Sequence, residues 1–571
     1  MNEIETSVLI VGGGPVGLAM ALELGWRGID CVVIEQGDGK ALLPRASGIS
    51  VRSMEFCRRW GIRDEVFNGG FPTDHRMDVV YCTSVTGYHL ERQPGPSIEE
   101  QPLLPFSPEN KHRAPQNLFD PLLERAALRY PGVSVRRRCR LAGFEKIDAG
   151  VLGYVESMPE AATYNFNRSG TPLRRSSAEL AAGGCAVRAR FMVACDGVMS
   201  GVREALGISI EGTGPDGNAV LGYSISALVS IPGLPSLHDK GQPSHIILVG
   251  PEGIWGDLTV VDGHDRWRLT IAGTVEKLNL SNIDMPALVR RCLGRDDIPF
   301  DIEVITPWRR RQMIAKHMRS GRVFLAGDAA HAMSPTGGFG MNTGLGDVID
   351  LGWKLEAALR GWAGPDLLDS YELERGPVAW RNTAAAAGHF LVWRMQLDYS
   401  RILDATPEGE RDRCKIGEAI KKAFAGEWES WGTTMGYRYE HSPICVPDGT
   451  PATPDNPIVY IQTARPGGRA PHGWLADGRS TIDLFGKGFT LMLFGGDASD
   501  AVPLVRAATR RGVPLSVTML DEPDIAVLYE RRFVLVRPDG HVAWRSDILP
   551  GDVQTLLDTV RGAGPPHGSL R

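Results

Sequence analysis

The sequence lacks long apolar runs and has few cysteines. No stretch of about 18 apolar residues occurs in its 571 residues. Residues 1–5 are acidic, where a secretory signal would be basic. The nine cysteines are scattered, with no CxxC pair and no zinc-ligand spacing. We therefore expect a cytoplasmic protein with reduced thiols, no bound metal and no membrane partner.

The sequence also lacks an excess of positive charge. It carries 62 Lys and Arg against 68 Asp and Glu, a formal net charge of −6. The basic runs at 136–138 and 309–311 are short and local. Nucleic acid is therefore not expected as a partner. Glycine, by contrast, is over-represented, with 68 residues. This surplus predicts sites where the backbone turns tightly or approaches a ligand closely.

The N-terminal region has the pattern of a dinucleotide-binding unit. Residues 7–11 form a β-branched apolar run, glycines follow, 18–26 are helix formers, and a second apolar run at 31–34 ends in a carboxylate. In this order, small residues let the backbone reach a pyrophosphate at a helix N-terminus, and the carboxylate accepts ribose hydroxyls. The predicted contacts are Gly12, Gly14, Pro15, Gly17, Glu35 and Gln36.

A second pair of motifs, far along the chain, indicates which dinucleotide binds. Residues 321–331 read GRVFLAGDAAH, and 334–342 read SPTGGFGMN. Here the chain resembles the group A flavoprotein monooxygenases, the aromatic hydroxylases of the para-hydroxybenzoate hydroxylase and phenol hydroxylase kind. The resemblance implies FAD, with Asp328 on its ribityl or phosphate part and Pro335 beside the reacting edge of the isoalloxazine. The implied contacts in this region are Gly327, Asp328, Pro335, Gly338, Gly340, Met341 and Asn342.

Three further positions agree with this resemblance. Asp196, within 195–203, resembles the family's Asp-Gly motif for FAD and NAD(P)H, although Asp-Gly alone is an ordinary turn signal. Arg45 resembles the arginine that lines the approach to flavin and nicotinamide, and Gln116 resembles a glutamine that contacts FAD. The resemblance thus assigns catalytic roles to Arg45 and Pro335.

The resemblance covers essentially the whole chain and implies its fold class. It is an α/β protein with a Rossmann-like FAD-binding domain, an inserted antiparallel β-sheet substrate domain and a C-terminal thioredoxin-like domain. Alternation across 219–275 predicts the inserted sheet, and prolines at 447–457 predict a linker. The expected boundaries are 1–80, 111–208 and 306–440 for the FAD-binding domain with its helical segment, 81–110 and 209–305 for the substrate domain, 441–465 for the linker, and 466–571 for the thioredoxin-like domain.

The thioredoxin-like tail contains no cysteine, since the last one is Cys445. It cannot exchange thiols and disulfides. We therefore expect it to act as a scaffold or as a contact in a homodimer.

The resemblance also implies an activity. NAD(P)H reduces the flavin, O2 forms a flavin hydroperoxide, and one oxygen atom hydroxylates a small phenolic aromatic substrate. That substrate would lie between flavin and inserted sheet, where Tyr223, Trp255 and Trp267 are candidate contacts, although sheet aromatics are more often core. Two alternatives stay open: a flavin monooxygenase for a polycyclic, polyketide or antibiotic substrate, and a flavin-dependent reductase or flavin-binding protein without oxygenation.

Overall fold

The structure is a computed structural model that describes residues 2–41, 43–159, 173, 184–212, 220–274 and 282–564. Residues 160–172 and 174–183, in a stretch rich in Ala, Ser, Gly and Arg that we expect to form an extended hairpin or surface insertion over 150–186, lie outside the described residues. No helix in the described ranges is long and apolar enough to cross a membrane.

The FAD-binding region is built on a mainly parallel sheet. Its strands are β1 (Asn2–Val11), β2 (Cys31–Ile34), β7 (Val133–Arg136), β8 (Cys139–Ile147), β9 (Gly150–Ser157), β10 (Cys185–Ala194), β18 (Arg319–Ser320) and β19 (Val323–Leu325). The order is β18-β19-β10-β1-β2-β7, and the β8–β9 hairpin pairs with β10. Strands β19, β10, β1 and β2 run parallel. Their carboxyl ends therefore lie side by side at one edge, where α/β sheets bind ligands.

Helices cover this sheet and extend from it. They are α1 (Pro15–Trp26), α2 (Val51–Arg59), α3 (Arg63–Phe67), α4 (Gln116–Ala127), α5 (Gly201–Ala205), α7 (Phe339–Arg360), α8 (Ser370–Val392), α9 (Pro407–Trp428) and α10 (Trp431–Met435). Residues 17–25 of α1 are all buried, as expected of a helix that is apolar on every side. Short pairings connect the loops: β3 (Gly48–Ile49) with β6 (His112–Arg113), and β17 (Met313–Ala315) with β11 (Ile210–Gly212) and β20 (His331–Ala332).

The inserted domain is a seven-stranded sheet. It contains β4 (Val79–Cys82), β5 (His89–Gln93), β12 (Val220–Ser230), β13 (His245–Gly250), β14 (Gly253–Val260), β15 (Arg266–Thr274) and β16 (Asp301–Arg311), in the order β16-β12-β15-β14-β13-β4-β5. All neighbours are antiparallel except β13 and β4. One face packs on α6 (Met285–Leu293) through an apolar cluster. Because β16 continues to Arg311, the sheet extends past the boundary expected at 305.

The tail is a four-stranded sheet with three helices. Its strands are β21 (Phe489–Phe494), β22 (Leu515–Leu520), β23 (Phe533–Val536) and β24 (Val542–Ser546), and its helices are α11 (Val502–Arg510), α12 (Pro523–Tyr529) and α13 (Val553–Val560). The order is β22-β21-β23-β24, with only β21 and β22 parallel. This is the arrangement of a thioredoxin core, as predicted. Trp353 of α7 and Trp362 join the apolar cluster of the tail.

A fully buried ion network joins the tail to the FAD-binding region. Arg537 of the tail contacts Asp350 (Nη2–Oδ1 3.0 Å) and Glu374, and Lys354 contacts the same two carboxylates. All four side chains are at most 1% exposed. The Arg537 and Lys354 cations lower the pKa of Glu374 against the effect of its burial, which alone would raise it. Removing one partner would leave a buried charge uncompensated.

We predict that Arg537→Met destabilises the folded protein by about 3–5 kcal/mol, because Glu374 and Asp350 each lose one of their two cation partners inside the interface. Urea unfolding followed by tryptophan fluorescence measures this. The matched control is Arg532→Met, because Arg532 pairs with Asp500 at the surface and surface pairs contribute less than about 1 kcal/mol. Equal losses in the two variants would contradict the role given to the network.

Candidate active site

The three predicted cofactor motifs meet at the carboxyl edge of β1, β10 and β19. Gly12 has a φ of 103°, and a Cβ built on it would lie 2.3 Å from the carbonyl oxygen of Cys195. A Cβ on Gly17 would lie 1.9 Å from the Gly12 carbonyl oxygen. These two positions therefore require glycine, because the turn after β1 folds against itself and against the segment that begins the Asp-Gly motif.

The start of α1 also contacts the third motif. Val16 packs against both Gly327 and Gly344, where added Cβ atoms would lie 2.9 Å and 2.5 Å from its Cγ2. Gly14, the N-cap of α1, is different, because a Cβ there would meet nothing within 4 Å. Open space thus adjoins the first N–H groups of a buried helix, which suits a pyrophosphate.

Glu35 is held at the end of β2 by two backbone donors. Its Oε2 accepts a hydrogen bond from the Gly13 N–H and its Oε1 accepts one from the Gly37 N–H, both at 2.6 Å. Each carboxylate oxygen can still accept another hydrogen bond. Glu35 thus fits the predicted ribose contact, whereas the neighbouring Gln36 is simply exposed.

Asp328 follows Gly327, which packs against Val16 of α1, and we call the space beside Gly14 and Asp328 the groove. The Asp328 side chain is exposed, yet protein encloses it closely enough to raise the pKa of its carboxyl, against the opposing effect of His331 and Arg45. A Cβ on Gly340 would come within 4.0 Å of Asp328 Oδ1. Pro335 and Gly338 are also exposed, just before α7 begins. An exposed carboxylate in an enclosed groove is what a bound ribityl or phosphate group would cover.

The remaining predicted cofactor residues have partners within the protein. The backbone N–H of Arg45 donates to Gln116 Oε1 at 3.3 Å, so these two predicted residues are in contact. The Oδ2 of Asp196 accepts from the Val202 N–H, while its Oδ1 is buried without a partner among the described residues. Asn342 Oδ1 accepts from the Ser50 N–H at 2.9 Å and thereby joins α7 to α2. Met341 packs against the core of the FAD-binding sheet.

Asp347 is a buried residue that the motifs did not indicate. Its Oδ2 accepts from the Gly327 N–H at 3.0 Å and contacts His331 Nε2 at 2.6 Å, while its Oδ1 accepts from Arg375 Nε at 2.8 Å. Burial would raise the pKa of the Asp347 carboxyl, but His331 and Arg375 lower it below its ordinary value. Asp347 therefore fixes the turn that presents Asp328. Only its spacing of 20 residues from Gly327, inside a helix, could have indicated it.

One face of the inserted sheet is polar and faces both loops of the groove. Arg268 Nη1 donates to the Pro44 carbonyl at 2.8 Å, next to Arg45. Arg310 Nη1 donates to Ser334 Oγ at 2.9 Å, next to Pro335. The face is formed by alternate residues of neighbouring strands, among them Ser226, Asp257, Arg268, Thr270, Trp308 and Arg310. A substrate between flavin and sheet would contact this face.

The predicted aromatic contacts lie elsewhere. Trp255 and Trp267 belong to the apolar cluster that packs against α6, on the opposite face of the sheet. Tyr223 is half-buried beside Arg309, whose guanidinium lies 5.6 Å from the ring centroid. The structure does not bring the two tryptophans to the polar face.

The polar face carries Arg268 and Arg310, and Arg113 of β6 contacts the same sheet by donating from Nη2 to the Val260 carbonyl at 2.6 Å. The Nε atoms of Arg113, Arg268 and Arg310 are buried and have no hydrogen-bond partner among the described residues. Burial lowers the pKa of Arg113 to about 9 and that of Arg310 to about 10. Guanidinium groups are rarely deprotonated in proteins, so the face offers positive charge and unused N–H donors.

Glu427 of α9 also lies in this region, where it contacts the loop that precedes α7. Its Oε1 accepts from the Gly337 N–H at 3.0 Å and its Oε2 accepts from Trp393 Nε1 at 3.2 Å. Burial raises the pKa of Glu427 to about 7 against the opposing effect of these hydrogen bonds and of Arg310, and Asp257 adds to the rise. Burial likewise raises the pKa of Asp257. Burial thus raises the pKa of two carboxyl groups, that of Glu427 beside the loop that precedes α7 and that of Asp257 on the polar face.

Comparison with known proteins agrees with this geometry. Residues 5–386 match the FAD binding domain family, and 463–564 match the aromatic-ring hydroxylase C-terminal family. The chain belongs to the FAD-dependent aromatic-ring hydroxylases. Relatives include tetracenomycin B2 monooxygenase-dioxygenase of Streptomyces olivaceus, 33% identical over 98% of each chain. Among solved structures, RebC with bound 7-carboxy-K252c is 38% identical with a TM-score of 0.87, covering 98% of this chain and 100% of that one. Aklavinone-11 hydroxylase with FAD and aklavinone is 28% identical with a TM-score of 0.79, covering 98% and 100%.

The predictions of family, FAD-dependent monooxygenase activity and cofactor are therefore confirmed. When bound, FAD supplies the redox chemistry, with NAD(P)H as the family's reductant and O2 as oxidant. The residues present fit this hydroxylase's FAD: open space at Gly14, a fixed carboxylate at Glu35, an unpartnered oxygen on Asp196 and an exposed carboxylate on Asp328. The individual contacts of these residues with FAD stay predictions.

We predict that Asp328→Ala weakens FAD binding by about 10- to 100-fold, because one charge-assisted hydrogen bond contributes about 1.5–3 kcal/mol. The flavin absorbance of the purified protein and titration of the apoprotein with FAD measure the loss. Asp366→Ala, which removes an exposed carboxylate outside the groove, should bind FAD normally. A fully yellow Asp328→Ala protein with unchanged affinity would rule out the contact.

Proposed function

We propose that this hydroxylase acts on a phenolic aromatic compound that binds as an anion between the flavin and the polar face of the inserted sheet. The observation that carries the proposal is that three arginines have buried Nε atoms without a partner among the described residues: Arg268 and Arg310 on that face, and Arg113 of β6 near Arg268. Buried cations of this kind favour carboxylate or phenolate groups, which accept charge-assisted hydrogen bonds. Small neutral phenols would leave these donors unused.

A polycyclic substrate is the second candidate. It is favoured by the bound molecules of similar proteins: one is named as a carboxylated compound, 7-carboxy-K252c in RebC, and another is aklavinone. The arginines of this chain suit the carboxyl group of such an acid. Arg268 connects this charge to the loop of Arg45, because it donates to the Pro44 carbonyl beside it.

For a substrate held through a carboxylate, we further propose that Glu427 accepts the proton of its phenolic hydroxyl group. Loss of this proton makes the ring more electron-rich at the atom to be hydroxylated. A base with a pKa near the working pH is best suited to such a transfer. Glu427 meets this condition, and its bond to the Gly337 N–H places it against the loop of Pro335. Asp257 is a second carboxylate, whose charge adds to the rise in the pKa of Glu427.

We predict that kcat/KM for a phenolic substrate rises with pH through about 7, because Glu427 accepts a proton only when ionised. Glu427→Gln should remove this limb of the profile and lower the rate by about 100-fold or more. The measurement is product formation against pH at saturating O2. Glu429→Gln, two residues further along the chain, is the control and should keep the wild-type profile. A wild-type profile in Glu427→Gln would rule out this role.

We predict that Arg268→Met raises KM for a carboxylated or phenolate substrate by about 10- to 100-fold, since a hydrogen bond to a charged group contributes about 1.5–3 kcal/mol. Binding of a neutral analogue should change much less. Arg266→Met is the matched control, because Arg266 lies on the same strand but pairs with Glu303 at the surface. An equal effect on charged and neutral ligands would contradict an anion-binding role.

Two further features belong to the proposal. We propose a cytoplasmic protein, which is supported by nine free cysteines. We also propose that it assembles as a homodimer. Each copy would bind its own aromatic substrate and O2, because all residues of the groove described above come from one chain.

A further inference from the structure

Helix α8 has an unusual outer surface. Its inner side carries Arg375, which holds Asp347, and Glu374 of the buried ion network. Within this 23-residue helix, every exposed position is apolar: Leu373, Pro377, Trp380, Ala384, Gly388 and Leu391. They recur every three or four residues and so form one stripe along the helix. An exposed helix face normally carries charged or polar residues.

A neighbouring segment widens this stripe. Arg381 of α8 donates to Asp455 and to the carbonyl of Thr433, which fixes 455–461 beside the helix. This segment exposes Ile458 (42%), Val459 (53%) and Ile461 (58%). Leu373 (55%), Trp380 (44%) and Leu391 (59%) are as exposed on the helix itself. Contiguous apolar patches of this kind mark interaction sites.

The stripe is complementary to itself when two copies run antiparallel. With a twofold axis near position 382, Leu373 lies opposite the second copy's position 391, which is also leucine. Trp380 lies opposite position 384, which is alanine, so a large side chain meets a small one. Gly388 lies opposite position 376, which is also glycine, and a Cβ on either glycine would meet nothing within 4 Å in its own chain. Such pairing of the same patch is the property of a twofold interface.

We propose that a second copy of this chain covers the α8 stripe, as an antiparallel helix pair about a twofold axis near position 382. This inference specifies the interface of the homodimer proposed above, and does not depend on the substrate. From Leu373 to Leu391 the stripe spans roughly 27 Å, at about 1.5 Å per residue. Together with 455–461, this length suits an interface of about 800 Å² per partner. The dimer interface would thus lie on α8, the helix whose Arg375 holds Asp347.

Light scattering during gel filtration of the FAD-loaded full chain tests the proposal. The wild type should have twice the monomer mass of 62.1 kDa. Ala384→Trp should weaken dimerisation by about tenfold or more, because two tryptophans would then meet across the axis. The exchanged variant Trp380→Ala with Ala384→Trp should restore the dimer, because a large residue again faces a small one. Since both positions are exposed, each variant should keep its flavin and its melting temperature.

Three results would overturn the proposal. They are a wild-type monomer at micromolar concentration, a dimer that Ala384→Trp leaves intact, and an exchanged variant no more dimeric than Ala384→Trp alone.

Val527→Glu, on a 76% exposed position of the tail, is the control and should stay dimeric. A dimer broken by Val527→Glu but not at α8 would place the interface on the tail. Binding of the monomer to phosphatidylcholine vesicles through Trp380 would identify the stripe as a membrane contact instead. Product formation is measured separately, so failure of the substrate proposal is distinguishable.

Discussion

Parallel pairing of β19, β10 and β1 is the constraint on which the site depends. Each strand ends in a cofactor motif, and parallel pairing brings the three ends to one edge of the sheet. Motifs separated by more than 300 residues in the chain thereby come into contact, with Val16 packed against Gly327. Despite this close packing, a Cβ would meet nothing within 4 Å at Gly14, Gly197 or Gly338, so open space remains beside all three motifs. The glycines of these motifs thus determine how closely a cofactor can approach the backbone in the groove.

The second half of the site is the polar face of the inserted sheet. It meets the groove at two points, through Arg268 at the loop of Pro44 and through Arg310 at Ser334. Each contact uses one guanidinium nitrogen and leaves Nε unpartnered. The same side chains can therefore position the loops and receive a substrate. Glu427 completes the enclosure from α9, and its neutral-range pKa reflects how little water reaches it.

The sequence predicted the cofactor side of this site better than the substrate side. Gly12, Glu35 and Asp328 lie in continuous motifs whose local geometry follows from residue type and spacing. Trp255 and Trp267 could not be assigned to a face in the same way, because a sheet residue's direction depends on strand register. The irregularity between β13 and β14 near Ile254 shifts that register. Asp347 and Glu427 were missed because their partners are distant in the chain, so nothing local distinguishes them from ordinary helix residues.

The ion network between α7, α8 and the tail has a consequence for how such chains diversify. Its charges balance only as a set, with Arg537 from the tail compensating Asp350 and Glu374 from the preceding region. A tail exchanged between homologues would have to bring an equivalent cation, or the two buried carboxylates would share Lys354 alone. None of the four residues of this ion network belongs to the inserted sheet. Recombination in this lineage should therefore conserve the tail together with α7 and α8, while the inserted sheet varies independently to suit new substrates.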